Sequence, residues 1–204
     1  MWTLKLFGTD FYHFLASFVI YSMLGWLVES IYMSFCNKKI TNRGFAKSPF
    51  CPIYGFGATL GYWVLSPLKP YPVALYFVGA IVATTFEFLV GIAMIKLFGE
   101  LWWDYNEKPF NYKGILCLES TIAWGFYAVG IICFLHEKIY MLIDMIVPAV
   151  GKVVILVILG IVAVDYVFQL RKAFKNKKEK KVAVAENEEV KEAETEAEKT
   201  VTEI

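Results

Sequence analysis

Residues 72–95 read PVALYFVGAIVATTFEFLVGIAMI, a run in which Glu87 is the only charged residue. A helix of this length extends about 36 Å at 1.5 Å per residue, which is enough to cross the hydrocarbon core of a bilayer. In the whole chain of 204 residues, 58% are hydrophobic and 17% are aromatic, whereas ordinary soluble domains are roughly 45–50% apolar. The stretch and the composition therefore predict a membrane protein. They exclude a soluble enzyme, a nucleic-acid-binding module and a secreted disulfide scaffold.

Further apolar stretches predict an all-α fold, a polytopic membrane helix bundle of about five transmembrane helices. The predicted spans lie near residues 11–35, 52–68, 72–95, 116–135 and 148–168. The second span is the shortest and is rich in glycine, so it is the weakest candidate for a full crossing.

Charged residues are concentrated at the C-terminal end of the chain. Residues 171–204 hold 18 charged residues in 34 positions, whereas residues 1–170 hold 21. We therefore divide the chain into a transmembrane helical domain, residues 1–170, and a charged cytoplasmic tail. Residues 171–181 have a net charge of +6 and are expected to lie on anionic lipid headgroups. Residues 182–204 have a net charge of −6 and little apolar surface, which predicts a disordered or transiently helical segment.

Lysine and arginine residues are distributed unequally between the two ends of the predicted spans. The first loop, the third loop and the start of the tail carry 14 of them, whereas the other side carries only Lys5, Lys69 and Lys138. Positive residues are retained on the cytoplasmic side of a membrane. We therefore expect a multi-pass protein of the cell membrane, with its N-terminus outside and its C-terminus in the cytoplasm.

Two parts of the transmembrane domain resemble each other in sequence. Residues 54–58, YGFGA, align with residues 124–128, WGFYA, at an offset of 70, and Glu29 aligns with Glu87 at an offset of 58. The two offsets differ by 12 residues, which fits an insertion of that length in the third loop. The alignment suggests a tandem repeat of two-span units, spans one and two and spans three and four, of the kind common in transporter folds. Chance recurrence of short clusters of glycine and aromatic residues is the alternative.

Four carboxylates lie within the predicted spans, all toward the cytoplasmic side: Glu29, Glu87, Glu119 and Asp165. Ionisable residues in a bilayer are costly and usually functional. The inner half of each span contains no lysine or arginine, so several interpretations stay open. The acids are protonated because burial raises a carboxyl pKa, or they pair with basic residues at the inner surface, namely Arg43, Lys47, Lys96 or Arg171.

Two further interpretations of these acids involve a binding partner. The acids line a cavity that opens to the cytoplasm and handles cations or protons, or they contact a basic residue of a second subunit in a homo-oligomer. Glu29 and Glu87 lie deepest in the membrane and are the strongest candidates for a functional site, whereas Glu119 and Asp165 lie closer to the interface.

The third loop contains the aromatic and acidic run Trp102, Trp103, Asp104 and Tyr105. Aromatic residues at headgroup level form an ordinary interfacial belt. Mixed with acids and lysines, they also predict an interfacial amphipathic segment. A coupling loop that contacts a cytoplasmic subunit would have a similar sequence.

The chain lacks the signatures of common catalytic and nucleotide-binding sites. It contains no GxxxxGKS or GxxxxGKT phosphate-binding loop, no HExxH and no GxSxG. Its four cysteines form no CxxC pair and have no metal-ligand spacing with His13 or His136. The sequence therefore predicts no enzyme, no cofactor, no metal site and no nucleic-acid partner.

Several short motifs occur in a characteristic order around the third loop. They are Trp103-Asp104-Tyr105, Pro109-Phe110-Asn111, Gly114 and Trp124-Gly125, and residues 25–29 and 51–55 add GWLVE and CPIYG. Over residues 10–170 this pattern resembles the type IV ABC-transporter permease family, a group of small bacterial integral membrane proteins. The resemblance implies a membrane component of a transport system whose ATP-binding subunit is a separate chain.

Two functions are compatible with these features. The first is a permease-like component that handles a cationic or proton-coupled substrate. The second is a non-transporting membrane scaffold or regulatory protein that acts through its cytoplasmic tail. An intramembrane enzyme acting on lipid is disfavoured because the spans contain no paired nucleophile and base.

Overall fold

A computed structural model describes the backbone of residues 2, 4–6, 9–42 and 46–202, and the side chains of these residues apart from 5, 6, 37 and 179–202. The described chain begins with a short antiparallel ribbon of β1 (Lys5–Leu6) and β2 (Thr9–Asp10). The ribbon leads directly into the first helix. There the Asp10 carboxylate accepts hydrogen bonds from the amides of Tyr12 and His13, which caps the helix N-terminus.

Six helical segments form five rods. They are α1 (Phe11–Asn37), α2 (Pro52–Leu65), α3 (Pro72–Phe98), α4 (Leu118–Gly130), α5 (His136–Asp144) and α6 (Pro148–Thr202). A 3-10 turn at Ser66–Leu68 extends α2, and a π-helical segment at Ile131–Leu135 joins α4 to α5 in one rod. Three rods start at a proline, a residue whose fixed φ and missing amide proton suit the first turn of a helix.

Four rods in the described part of the chain are long and apolar enough to cross a membrane. They are Phe11–Cys36, Pro72–Phe98, Leu118–Asp144 and Pro148–Lys178. The prediction of an all-α membrane bundle is therefore confirmed. The second predicted span forms α2, which has 14 residues and a length of only about 21 Å, because Pro67 and Pro70 follow its end.

The fourth rod is longer than the span predicted at residues 116–135. It continues through the π-helical segment to Asp144, so His136 lies within the rod. Hydropathy missed this extension because Glu137 and Lys138 interrupt the apolar run. The Glu137 carboxylate forms an ion pair with Lys69 beyond the end of α2, which satisfies one of these charges.

The helices pack in two pairs, α1 with α2 and α3 with α4, and α6 lies against α1. Glycines permit the close approach within each pair. A Cβ atom on Gly55 would lie 2.6 Å from the Phe18 ring, and one on Gly125 would lie 2.6 Å from the Tyr76 ring. Phe18 and Tyr76 are related by the offset of 58, and the two glycines by the offset of 70. These equivalent contacts are consistent with the tandem repeat, which stays a prediction.

The last helix runs without interruption from the apolar span into the charged tail and ends at Thr202. Residues 182–204, predicted to be disordered or transiently helical, are helical as far as this residue, because alanine, glutamate and lysine are strong helix formers. At the C-terminal end of α3, the Lys177 ammonium donates to the carbonyl oxygens of Lys96 and Leu97 at 3.0 and 2.8 Å. A positive group at these last carbonyls stabilises the C-terminus of α3. The division of the chain at residue 170 remains a prediction.

Candidate functional site

Glu87 is a buried carboxylate in the middle of α3, with only 4% of its surface exposed. It accepts hydrogen bonds from Trp124 Nε1 at 3.0 Å, Tyr105 Oη at 3.1 Å and Ser120 Oγ at 3.4 Å. Within the described residues, Glu87 forms no ion pair with a lysine or arginine. Three neutral donors therefore replace the water that an exposed carboxylate would have.

The donors to Glu87 come from α4 and from the loop that precedes it. Trp124 and Ser120 face α3 because the contact of Gly125 with Tyr76 brings α3 and α4 together. Ser120 also belongs to the N-terminal cap of α4, where its hydroxyl contacts the backbone of Cys117.

The loop between α3 and α4 folds back on itself and carries Tyr105 to Glu87. Gly99 ends α3 with a φ of 80°, and Gly114 has a φ of 66°, so both positions favour glycine. The Tyr105 amide donates to the Gly114 carbonyl at 3.0 Å, and Trp103 Nε1 donates to the Ile115 carbonyl at 2.8 Å. These two bonds close the loop beneath the site.

The four residues predicted as a coupling segment have different environments. Trp103 and Tyr105 are held inside the folded loop. Trp102 packs against Phe98 with ring centroids 5.5 Å apart, while the exposed Asp104 accepts a hydrogen bond from the Asn106 amide at 2.9 Å. The run is thus a folded loop rather than a helix, and its coupling role stays a prediction.

Glu29 lies on α1 and accepts a hydrogen bond from Tyr54 Oη at 2.7 Å. The Tyr54 ring in turn contacts the Trp124 ring, with centroids 6.3 Å apart. The structure therefore brings the two deepest acids into one cluster, in which the donor to Glu29 touches a donor to Glu87.

Tyr105 is the hydrogen-bond donor to Glu87 that lies on the loop between α3 and α4. Burial raises the pKa of the Tyr105 phenol, and the negative charges of Glu87 and Glu29 raise it further. The phenol consequently keeps its proton at physiological pH and remains a hydrogen-bond donor.

The two acids and their aromatic donors are equivalent in the aligned sequences. Glu29 and Glu87 are related by the offset of 58, and Tyr54 and Trp124 by the offset of 70. Each half of the alignment thus supplies one carboxylate and one aromatic donor. The sequence aligned all four residues, but it did not identify Tyr54, Trp124 or Ser120 as site residues. The aligned aromatic positions were the signal that could have indicated the first two.

The other two predicted acids lie outside this cluster. The exposed Glu119 carboxylate is 2.8 Å from the Lys108 ammonium, and this contact raises the pKa of Lys108. Asp165 on α6 accepts a hydrogen bond from the Ser48 amide at 2.7 Å and joins α6 to the first loop.

Pairing of the acids with basic residues at the inner surface stays a prediction. Among the described residues, Lys47, Lys96 and Arg171 form no ion pair with Glu87, Glu119 or Asp165. Arg43 lies outside the described residues.

A cavity of about 160 Å³ adjoins the cluster between α2, α3 and α4. Glu87 is the charged residue in its wall, and Tyr54 and Trp124 also line it. The remaining wall is mostly apolar, with Gly57, Gly61 and other small residues. Among the described residues, no group of three or more His, Cys, Asp or Glu side chains is placed to hold a metal ion. The arrangement is suited to binding one proton or one monovalent positive group at Glu87.

Comparison with known proteins gives one family match. A family model described as Putative ABC-transporter type IV matches residues 16–170, which include all four acids and the third loop. No curated protein and no solved structure matches the chain.

Proposed function

Because the chain belongs to the Putative ABC-transporter type IV family, we propose that it is a permease-like component of a transport system. Its ATP-binding subunit would be a separate chain, since this sequence has no phosphate-binding loop. The proposed cargo is a cation, or a substrate whose movement is coupled to protons. Four helices that could cross a membrane provide the architecture that this function needs.

The observation that carries the proposal is the environment of Glu87. The residue is buried, its donors are neutral, and a cavity adjoins it. An ionised carboxylate in a membrane interior is stable only with a compensating positive charge, and without one it takes up a proton. A proton or a cation that reaches Glu87 through the cavity supplies this compensation, and Glu29 adds a second acid nearby.

The predicted orientation gives the site access from the cytoplasm. Tyr105 and Ser120 belong to the third loop and to the first turn of α4, which lie on the side with most lysine and arginine residues. The exposed part of the same loop is the proposed contact for the ATP-binding subunit. Conformational changes in that subunit would then reach Glu87 through Tyr105.

Ion flux into vesicles tests the role of Glu87. The full chain is reconstituted in vesicles that contain a pH-sensitive dye, and a K⁺ diffusion potential drives proton entry. We expect proton flux with the wild type and its loss in Glu87→Gln, because an amide neither exchanges a proton nor neutralises a cation. The matched control is Glu119→Gln, which alters an exposed acid and should retain the flux. Equal flux in the Glu87→Gln and wild-type proteins, or no movement of H⁺, Na⁺ or K⁺ by the wild type, would contradict the proposed site.

Co-purification tests the proposed ATP-binding subunit. The tagged full chain is extracted from its native membranes in a mild detergent. We expect an ATP-binding protein to accompany it in stoichiometric amount. Its absence would contradict the part of the proposal that concerns a separate subunit.

The alternative function, a scaffold acting through the tail, is favoured by one observation. The helix α6 continues from the membrane span into the tail, and Lys177 attaches it to the end of α3. Deletion of residues 182–204 distinguishes the two functions. A permease keeps its flux after this deletion, whereas a scaffold loses its cytoplasmic partner.

A further inference from the structure

A second cavity, of about 310 Å³, lies at the opposite end of the bundle, near the N-terminal ribbon. It is enclosed by α1, α2 and α5, and its wall includes Ser17, Thr59, Tyr62, His136 and Tyr140. Glu87 and the residues that donate hydrogen bonds to it do not line this cavity. Its volume is at the lower end of the range of about 300–1,000 Å³ that is typical of small-molecule sites.

His136 provides an unsatisfied polar group at this cavity. Only 2% of its surface is exposed, and its Nδ1 atom is hydrogen-bonded to Tyr21 Oη at 3.0 Å. Its Nε2 atom has no hydrogen-bond partner among the described residues. A buried ring nitrogen without a partner is unfavourable, so a ligand that bonds to it would gain affinity.

The position of His136 in the fold also points to a site. It is the first residue after the π-helical segment Ile131–Leu135, which interrupts the regular helix between α4 and α5. Such segments are rare, and they are frequently retained at functional sites because they reorient the side chains that follow.

The other polar groups of the cavity determine what a ligand must offer. The Ser17 hydroxyl donates to the His13 carbonyl at 2.6 Å, and the Thr59 hydroxyl donates to the Gly55 carbonyl at 2.7 Å. Because their protons are used within the helices, these hydroxyls have only acceptor lone pairs left for a ligand. A ligand that bonds to Ser17 or Thr59 therefore donates the hydrogen bond, as a hydroxyl group can.

The ring systems and the charge of the wall restrict the ligand further. The Tyr62 ring is stacked on the His136 imidazole at a centroid distance of 3.4 Å, and the Tyr140 ring lies 4.4 Å from it. Such flat faces suit the C–H face of a sugar ring. No aspartate, glutamate, lysine or arginine lines this cavity within the described residues, so a charged ligand would lose its hydration without a counter-charge.

We propose that this cavity binds an uncharged, hydroxyl-rich ring, either a free sugar or the sugar headgroup of a glycolipid, with His136 Nε2 as its polar anchor. The site is separate from Glu87 and does not depend on the proposed transport of cations. A ligand that stacks on the imidazole would displace the Tyr62 ring, because the two rings are stacked with their centroids 3.4 Å apart.

Nitrogen-15 NMR of labelled histidine tests the proposal, because the chain has only two histidines. The full chain is placed in phospholipid nanodiscs, and His13→Asn assigns the two sets of signals. One arm adds free methyl glucoside, and the other incorporates glucosyl diacylglycerol, with plain diacylglycerol as its control. We expect a saturable shift of the His136 Nε2 signal. A shift with methyl glucoside identifies a free sugar as sufficient, and a shift with the glycolipid alone identifies a headgroup.

A matched pair of threonine variants tests the proposed contact between the ligand and the Thr59 hydroxyl. Thr59→Val removes an acceptor from the cavity, while Thr85→Val removes a hydroxyl with the same bond to its own helix, on the exposed face of α3. Loss of one hydrogen bond should raise the half-saturating concentration about fivefold in Thr59→Val and leave it unchanged in Thr85→Val. The proposal is overturned if neither probe shifts the His136 signal, if His13 shifts equally, or if both variants bind like the wild type.

Discussion

Glu87 is held by donors from two elements, so the cost of removing it depends on what replaces the carboxylate. The indole of Trp124 and the phenol of Tyr105 depend on it as an acceptor, and the Ser120 hydroxyl shares its proton between Glu87 and the Cys117 carbonyl. Glutamine keeps one acceptor oxygen at nearly the same place. Alanine leaves the partly buried indole and phenol without this acceptor and also leaves a hole, whereas the Ser120 hydroxyl still has the Cys117 carbonyl.

We therefore expect Glu87→Ala to lower the free energy of unfolding by about 2–4 kcal/mol. The control Glu119→Ala breaks only an exposed ion pair with Lys108 and should cost less than about 1 kcal/mol. Equilibrium unfolding of both variants in mixed micelles, followed by circular dichroism, measures the difference. Equal losses for the two variants would show that the donors around Glu87 are satisfied in another way.

At the scale of single residues, the sequence indicated the acids as candidates but did not indicate their hydrogen-bond partners. Glu29 and Glu87 were recognisable because a charge in an apolar run stands out. Tyr105 was assigned to an interfacial loop, since nothing in its local sequence indicates that the loop turns back at Gly114. Partners brought together by a loop depend on tertiary structure, which hydropathy and spacing do not describe.

Among the helices, the contact between α3 and α4 depends on Gly125. Its hydrogen atoms face the ring of Tyr76, and a Cβ there would come within 2.6 Å of that ring. A methyl group on Gly130 of the same helix would have no neighbour within 4 Å among the described residues. Alanine substitutions at Gly125 and Gly130 therefore distinguish the effect of packing on stability from the effect of helix propensity.

We expect Gly125→Ala to destabilise the protein by about 1–3 kcal/mol, because the ring of Tyr76 must move. Gly130→Ala should be neutral or stabilise it by up to about 1 kcal/mol, because alanine favours a helix and nothing obstructs its methyl group. Thermal unfolding of the two variants in the same detergent provides the measurement. A Gly125→Ala protein as stable as the Gly130→Ala protein would mean that α3 and α4 can separate slightly at no cost.

The helix boundaries that the sequence predicted well are those marked by proline or by a long apolar run. The starts of α2, α3 and α6 coincide with Pro52, Pro72 and Pro148. The C-terminal extensions of α6 and of the fourth rod were missed. In both places charged residues continue a helix beyond the apolar run, and hydropathy does not distinguish a solvated helix from a loop.

For the whole molecule, the distribution of lysine and arginine predicts the orientation in the membrane. A pair of cysteine variants tests it in a background where the four native cysteines are replaced by alanine. Lys69→Cys, between α2 and α3, should react with a membrane-impermeant maleimide in intact cells. Lys113→Cys, in the loop before α4, should react only after the membrane is opened. The reverse labelling pattern would mean that the N-terminus is cytoplasmic and the C-terminus is outside.

Tyr62 lines both the cavity beside Glu87 and the cavity beside His136, and no other described residue is common to the two walls. The Tyr62 side chain is therefore the point of contact between the two cavities. We expect a rotation of its phenol ring to change the shape of both cavities at once. The stacking of this ring on the His136 imidazole thus holds the two cavities in their observed shapes.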